Sequence, residues 1–207
     1  MTKKTYKNRL DFLEKLNEIS PLGKGVEIGV FKGQFSKDIL SRWGGTLYMV
    51  DVWRPLGEEY EDASNHSVHI NAYSEAMENI KGLEERAIMI RTESAKASEI
   101  FADESLDFVY IDGNHAYDFV VEDIKSWFPK LKKGGILSGH DYIDIDWYGD
   151  DAYAPNGKDK YIYINSVEEA FYAGIFGVNP AVDEFCRENN YELDITCEWF
   201  GTWWIIK

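Results

Sequence analysis

Short apolar runs alternate with amphipathic stretches along most of this chain. The runs at 25–29, 46–52, 87–91, 106–111 and 136–138 are too short for helices and are bounded by turn residues, which predicts five buried strands. Between them, the spacing predicts helices over 34–43, 71–81, 94–101 and 117–131. In the last of these Phe119, Val120, Ile124, Trp127 and Leu131 fall near one face, and Lys132-Lys133-Gly134-Gly135 closes it with cations and glycine. Residues 6–19 read as an amphipathic helix carrying Leu10, Leu13 and Leu16 with Phe12 and Ile19, ended by Pro21 and Gly23. After the fifth strand the pattern changes. Residues 180–189 predict a helix, and 191–197 and 203–206 alternate like a terminal antiparallel pair.

Strands that alternate with helices imply an α/β domain with a mostly parallel sheet covered on both faces. The whole chain, 1–207, fits one such domain. Two segments do not fit the scaffold. Residues 53–68 are acid-rich around a Pro-Leu-Gly turn, and 142–163 are rich in Asp, Tyr and Trp without a clear period. Both follow strand C-termini, where open α/β sheets bind ligands, so they are expected to form substrate or lid loops rather than surface padding. Trp147, Tyr148 and Tyr153 are candidate substrate walls there.

The formal charge of −15 disfavours a phosphate backbone as ligand, so no nucleic-acid partner is expected. The cations Lys3, Lys4, Lys7, Arg9, Lys15 and Lys24 gather in the first helix region and read as a solvated face. Cys186 and Cys197 lack metal spacing, and no apolar run is long enough to span a membrane. A reduced, cytoplasmic protein is expected, with its oligomeric state open. Seven tryptophans suit either a well-filled core or a pocket for a planar or sugar-like ligand.

The chemistry sits at strand ends. The fourth strand runs into Asp112-Gly113-Asn114-His115, and the fifth into His140-Asp141-Tyr142. Neighbouring strands let Asp112 and Asp141 converge, and paired carboxylates suit Mg²⁺. His140 is a further ligand or a supporting group, and as a ligand it moves the preference toward Mn²⁺, Fe²⁺ or Zn²⁺. If Gly113-Asn114 is a turn, His115 returns to the same cleft as a general base. The bland alternatives are a turn acid at Asp112 and a helix-terminal histidine at His115. The first strand runs into Glu27-Ile28-Gly29-Val30-Phe31-Lys32-Gly33, where Gly29 permits a tight turn and Gly33 a close approach. Glu27 stands where a dinucleotide site has glycine and can accept from a cationic amino-acid ligand. Asp51, at the end of the second strand, can accept ribose hydroxyls, and Glu93 and Ser94 can line an adenine pocket.

In these residues the chain resembles the class I S-adenosylmethionine-dependent methyltransferases. The resemblance covers about residues 22–142 and the terminal hairpin. It implies a Rossmann-like three-layer sandwich with a seven-stranded sheet of order 3-2-1-4-5-7-6, strand seven antiparallel. It also implies that Glu27, Gly29 and Gly33 hold the methionine moiety of the cofactor, with Asp112 in the same pocket, and that Asp51 holds the ribose. The phrase from Tyr110 to Tyr117, with Asp123, Trp127, Leu131, Gly134-Gly135 and Gly139-His-Asp-Tyr142, is similar to the macrocin and mycinamicin sugar O-methyltransferases. That narrower resemblance implies a divalent metal on Asp112 and Asp141, His115 as base and a small-molecule hydroxyl as acceptor. His140 stands where an acid or amide would be expected. Two alternatives remain: a metal-dependent hydroxylase on the same scaffold, in which His115, His140 and Asp141 imitate an iron site, and a non-catalytic cofactor-binding module.

Overall fold

The computed structural model describes residues 3–54, 71–143, 158, 160–165 and 170–207. Its elements are β1 (Lys3–Tyr6), α1 (Arg9–Ile19), β2 (Lys24–Ile28), α2 (Gln34–Arg42), β3 (Thr46–Asp51), α3 (Ala72–Asn79), β4 (Ala87–Arg91), α4 (Ser94–Ser98), β5 (Leu106–Ile111), α5 (Tyr117–Trp127), β6 (Leu131–Tyr142), β7 (Lys160–Asn165), β8 (Ala170–Phe176), α6 (Val178–Asn189), β9 (Leu193–Thr196) and β10 (Gly201–Ile206).

Eight strands form one sheet in the order β4-β3-β2-β5-β6-β10-β9-β1. From β4 to β6 every pair is parallel, and β10 is antiparallel to both β6 and β9. This is the expected α/β Rossmann-like arrangement with one correction. The sheet has eight strands rather than seven, because Lys3–Tyr6 adds a parallel edge strand to β9. Those four residues have no apolar run, and their extended form comes from pairing rather than from their own pattern. The first helix accordingly begins at Arg9, not at residue 6. Asn8 and Asp11 form a reciprocal capping box that fixes its start.

Residues alternate across the sheet into two cores. Val26, Ile28, Val109, Ile111, Leu137 and Trp203 pack against α4, α5 and α6 through Ala97, Ile124, Trp127 and Val182. Leu47, Met49, Phe108, Tyr110, Ile136 and Trp204 pack against α1, α2 and α3 through Phe12, Leu16, Phe35, Ile39 and Ala76. The tryptophans are largely core residues: Trp43, Trp53, Trp127, Trp203 and Trp204 are buried, whereas Trp199 is exposed. Two helix expectations need correction. Phe119 is exposed, and α5 ends at Trp127 because Pro129 follows in a short 3-10 turn, which leaves Leu131 to open β6.

The sequence missed the antiparallel hairpin of β7 and β8, a separate two-stranded sheet between β6 and α6. Part of it occupies the end of the segment expected as a lid loop. The rest of that loop, with Trp147, Tyr148 and Tyr153, and nearly all of 53–68 lie outside the described residues. No helix among the described residues is long and apolar enough to cross a membrane.

Candidate active site

The C-terminal ends of β2, β3, β5 and β6 meet at one edge of the sheet. At the end of β2 the chain turns through Gly29, with φ of +82°. A Cβ at this position would lie 1.9 Å from the carbonyl oxygen of Asp112, so no other residue fits between the ends of β2 and β5. The Gly29 N–H donates to the Val50 carbonyl at 2.9 Å, and the Asp112 N–H to the Ile28 carbonyl at 2.8 Å. Gly33 caps α2 with φ of +75°, and a Cβ there would stand 3.1 Å from Cα of Ala76. Its close approach is therefore to α3.

Asp51 organises this turn. Its Oδ2 accepts the Phe31 N–H at 2.8 Å and its Oδ1 the Trp53 N–H at 2.7 Å. Phe31 and Trp53 both have left-handed φ, 51° and 39°. Such conformations cost non-glycine residues energy, and the shared carboxylate offsets it. The Trp53 Nε1–H closes the arrangement on the Phe31 carbonyl at 2.9 Å. The carboxylate oxygens retain lone pairs for a ligand hydroxyl. Glu27 lies beneath the turn instead of lining it. It is buried and accepts from the Ser36 hydroxyl, and burial pushes its carboxyl up to about 8 despite that bond.

Past β4, a groove is lined by Val52, Arg54, Arg91, Thr92 and Glu93. Glu93 pairs with Arg54 at 3.1 Å and Lys96 at 2.7 Å across its exposed mouth. Ser94 faces inward. Its hydroxyl donates to Asp123 and accepts the Trp127 Nε1–H at 2.8 Å. Asp123, on the buried stripe of α5, has its carboxyl pushed up to about 7 by burial, partly countered by Ser94. The sequence held a signal for this network, an acid on the same face as Val120, Ile124 and Trp127.

The second cluster joins β5 to β6. The Asn114 side chain accepts the Ala116 N–H at 2.9 Å, a local turn that swings His115 back over the cleft. His115 Nε2 stands 2.9 Å from Asp141 Oδ2 and 3.8 Å from Asp112 Oδ1. His140 Nδ1 stands 3.3 Å from Asp141 Oδ2 and 3.8 Å from Asp112 Oδ1. In a regular strand adjacent residues point to opposite faces, so His140 and Asp141 would diverge. A bulge prevents this. Tyr142 pairs Gly201 and Gly139 pairs Trp203, which leaves one extra residue on β6. Asp141 takes φ of 57° within it, a left-handed conformation that aspartate tolerates. Burial alone would raise its carboxyl pKa. The His115 and His140 imidazoles, by charge and hydrogen bonding, instead hold it well below the usual carboxylate range.

The structure thus brings Asp112, His115, His140 and Asp141 together. Single atoms of Asp112, His115 and Asp141 all lie within 4.8 Å of one another, a donor set compact enough for one divalent cation. Two carboxylates and an imidazole fit Mn²⁺, Fe²⁺ or Zn²⁺ better than Mg²⁺. His140 stands beside this set, not in it.

Two further parts were not read from the sequence. The Phe176 ring, at the end of β8, stacks on His115 with centroids 5.1 Å apart and planes 2° from parallel, and the Gly177 N–H donates to the His115 carbonyl at 2.7 Å. The hairpin therefore anchors on the histidine. Arg9, expected on a solvated face, instead lays its guanidinium over Phe35 at 4.3 Å and over Tyr110 at 5.8 Å.

Comparison with known proteins agrees with this architecture. A curated relative, uncharacterized protein R132 of Acanthamoeba polyphaga mimivirus, is 27% identical over 124 residues, 59% of this chain and 52% of its own length. The chain thus spans about half the length of that relative. Among solved structures, the PH0226 protein from Pyrococcus horikoshii OT3 superposes with a TM-score of 0.61 at 15% identity, covering 96% of this chain and 89% of its own. A candidate caffeoyl-CoA O-methyltransferase from Staphylococcus aureus gives 0.60 at 16% identity, covering 98% and 85%. The 1,6-didemethyltoxoflavin-N1-methyltransferase of Burkholderia thailandensis, solved with S-adenosylhomocysteine, gives 0.56 at 13% identity, covering 94% and 76%. These likenesses concern the fold. Residues 26–142, more than half of the chain and the span that carries both clusters, match the family described as Methyltransferase domain, and the chain belongs to that family.

Proposed function

We propose that the protein is an S-adenosylmethionine-dependent O-methyltransferase acting on a hydroxyl of a small, sugar- or polyol-like molecule, assisted by a divalent metal. The observation that carries this reading is the His115–Asp141 pair at 2.9 Å, beside Asp112 and next to the Gly29–Gly33 turn. The methyl donor supplies an electrophilic methyl group, so this chain has three tasks: to hold the donor, to align a hydroxyl and to take its proton. The Asp51 carboxylate and the open backbone of the turn suit the ribose and methionine parts of the donor. Glu93 borders the groove on the side expected for adenine, while Ser94 turns its hydroxyl inward to Asp123 and Trp127.

His115 takes the proton. Asp141 orients the imidazole and stabilises the charge it gains, as a carboxylate does for a catalytic histidine elsewhere. The neighbouring imidazoles, which outweigh the effect of burial, keep Asp141 ionised for this role. A metal held by Asp112 and Asp141, with His140 at its side, would supply Lewis acidity that lowers the hydroxyl pKa. Alignment supplies much of the remaining acceleration. The acidic surface supports a small molecule over a nucleic acid as acceptor.

A second reading has one specific observation in its favour. His115, not His140, completes the compact donor set with Asp112 and Asp141. His115 would then be a metal ligand and not a base. Calorimetric titration with Mn²⁺ separates the two: if His115 is the base, His115→Ala keeps the metal affinity of the wild type, and if it is a ligand, that affinity falls. The reading as a whole is tested by transfer of radiolabelled methyl from S-adenosylmethionine to a panel of sugars, polyols and catechols, with and without EDTA. Donor binding with no transfer to any of them would remove the O-methyltransferase assignment.

A further inference from the structure

The hairpin of β7 and β8 ends against the candidate base. Phe176 is the last residue of β8, and Gly177 is the cap that opens α6. The Phe176 ring is buried and lies parallel to the His115 imidazole, with planes 2° apart and centroids at 5.1 Å. The Gly177 N–H donates to the His115 carbonyl at 2.7 Å. Two consecutive residues therefore hold the ring and the main chain of one histidine.

Helix α6 extends this hold to both sides of the cluster. Glu184 accepts from the hydroxyl of Tyr117, two residues past His115, and pairs with Lys158 at 3.0 Å. Its neighbour Asp183 accepts the hydroxyl of Tyr142, next to Asp141, at 2.6 Å. Asn179 accepts the Ile143 N–H at 2.8 Å and donates to the Ile143 carbonyl. Phe176 also meets Phe200, with centroids 5.9 Å apart, and Phe200 leads into Gly201, which pairs with Tyr142 beside the bulge. The hairpin end and α6 thus register the turn that carries His115 against the bulge that carries Asp141.

The carboxylate alone does not fix the imidazole. Asp141 approaches one ring atom, Nε2, at 2.9 Å. The ring can still tilt about that contact, because the second side-chain torsion of histidine is broad. A parallel aromatic face opposes the tilt, since tilting drives the edge of one ring into the face of the other. Offset parallel stacking is also a favoured arrangement in its own right.

We infer that Phe176 is a positioning residue, which holds the His115 imidazole at the tilt that faces Asp141 and so makes the β7–β8 insertion part of the catalytic machinery. The inference rests on the proposed role of His115 as proton acceptor. It requires no covalent step.

Phe176→Leu removes the flat face, and Phe176→Tyr keeps it. Should Phe176→Leu fail to fold, Phe176→Met fills the volume with an adaptable chain and takes its place. Nuclear magnetic relaxation of the histidine ring carbons reads imidazole motion in the full, ligand-free chain. The chain has four histidines, and the His115 signal is the one lost in His115→Ala. Wild type and Phe176→Tyr are expected to show a rigid His115 ring, and Phe176→Leu a mobile one. A ring as rigid in folded Phe176→Leu as in wild type, or as mobile in Phe176→Tyr as in Phe176→Leu, overturns the inference.

The consequence for turnover is read with whichever acceptor of the sugar, polyol and catechol panel takes radiolabelled methyl. Phe176→Leu is expected to lower kcat about 10–100-fold, the scale of a small misplacement of a reacting group, with KM for donor and acceptor within about twofold. An unchanged kcat, or a loss confined to KM, overturns the part of Phe176 in catalysis. A wild type that methylates no member of the panel removes the O-methyltransferase reading instead, and the relaxation measurement still decides whether Phe176 holds His115.

Discussion

The two halves of the cleft are built from different material. The turn at Gly29–Gly33 is a main-chain structure. Its shape follows from two glycines, two left-handed residues and one carboxylate that ties their amides together. The cluster of Asp112, His115, His140 and Asp141 is a side-chain structure, gathered by a local turn at Asn114 and a bulge in β6. The first half positions a ligand by shape, and substitutions there should act through binding and stability. The second half holds ionisable groups in one small volume, and substitutions there should act through turnover.

The largest expected effect belongs to Asp141. Asp141→Asn keeps a residue that tolerates the left-handed backbone but removes the charge that both imidazoles face. Methyl transfer is expected to fall by about three orders of magnitude or more, comparable to losing the orienting acid of a catalytic histidine. Donor affinity, measured by calorimetry, should change little. If Asp141→Asn weakens donor binding as much as turnover, the division between the halves fails. His115→Ala should cost about 10²–10⁴ in turnover, the range for a general base. Turnover of this variant within a few-fold of wild type would remove His115 as base.

Asp51→Ala tests the other half, with a smaller effect of a different kind. It deprives the Phe31 and Trp53 amides of their acceptor, and a buried amide left unsatisfied costs about 1–3 kcal/mol. Thermal unfolding should show a fall in Tm of several degrees, with donor affinity reduced about tenfold or more. An unchanged Tm would mean that the left-handed turn holds itself without the carboxylate.

The same division explains what could be read from the sequence. The strands were legible because each is a local apolar run, whereas their order came only with the family resemblance; the Gly29–Gly33 turn was legible from its two glycines, both of which take left-handed φ. The edge strand β1 was not, because Lys3-Lys4-Thr5-Tyr6 becomes a strand only by pairing with β9. The convergence of Asp112 and Asp141 was legible from neighbouring strand ends. The bulge that aims His140 and Asp141 into the same cleft depends on the register against β10, which no local pattern encodes. Arg9 read as one of several surface cations because only the folded chain sets it over Phe35 and Tyr110. The hairpin that stacks Phe176 on His115 lies in a segment without a clear signal.

The smallest expected effect concerns the acids sealed beneath the cleft, and it asks whether the turn half is uncharged at its base. Burial pushes Glu27 up to about 8 and Asp123 up to about 7 in the folded chain, against about 4.3 and 3.9 for unfolded glutamate and aspartate. Between these values the folded state holds protons that the unfolded state has released, so stability falls as pH rises from about 4.5 toward 8. Asp141 works in the opposite sense. Its depressed folded pKa gives a contribution that is complete above its unfolded value and is lost as pH falls through the folded one. The ligand-free protein should therefore unfold at its highest Tm on the acidic side of neutrality and lose several degrees by pH 8, at about 2–4 °C per kcal/mol for a chain of this size. Glu27→Gln keeps an acceptor for the Ser36 hydroxyl but has no proton to lose, so it should flatten that decline. An unflattened slope in Glu27→Gln would mean that Glu27 is ionised in the fold, and the turn half would then carry a negative charge beneath the donor pocket.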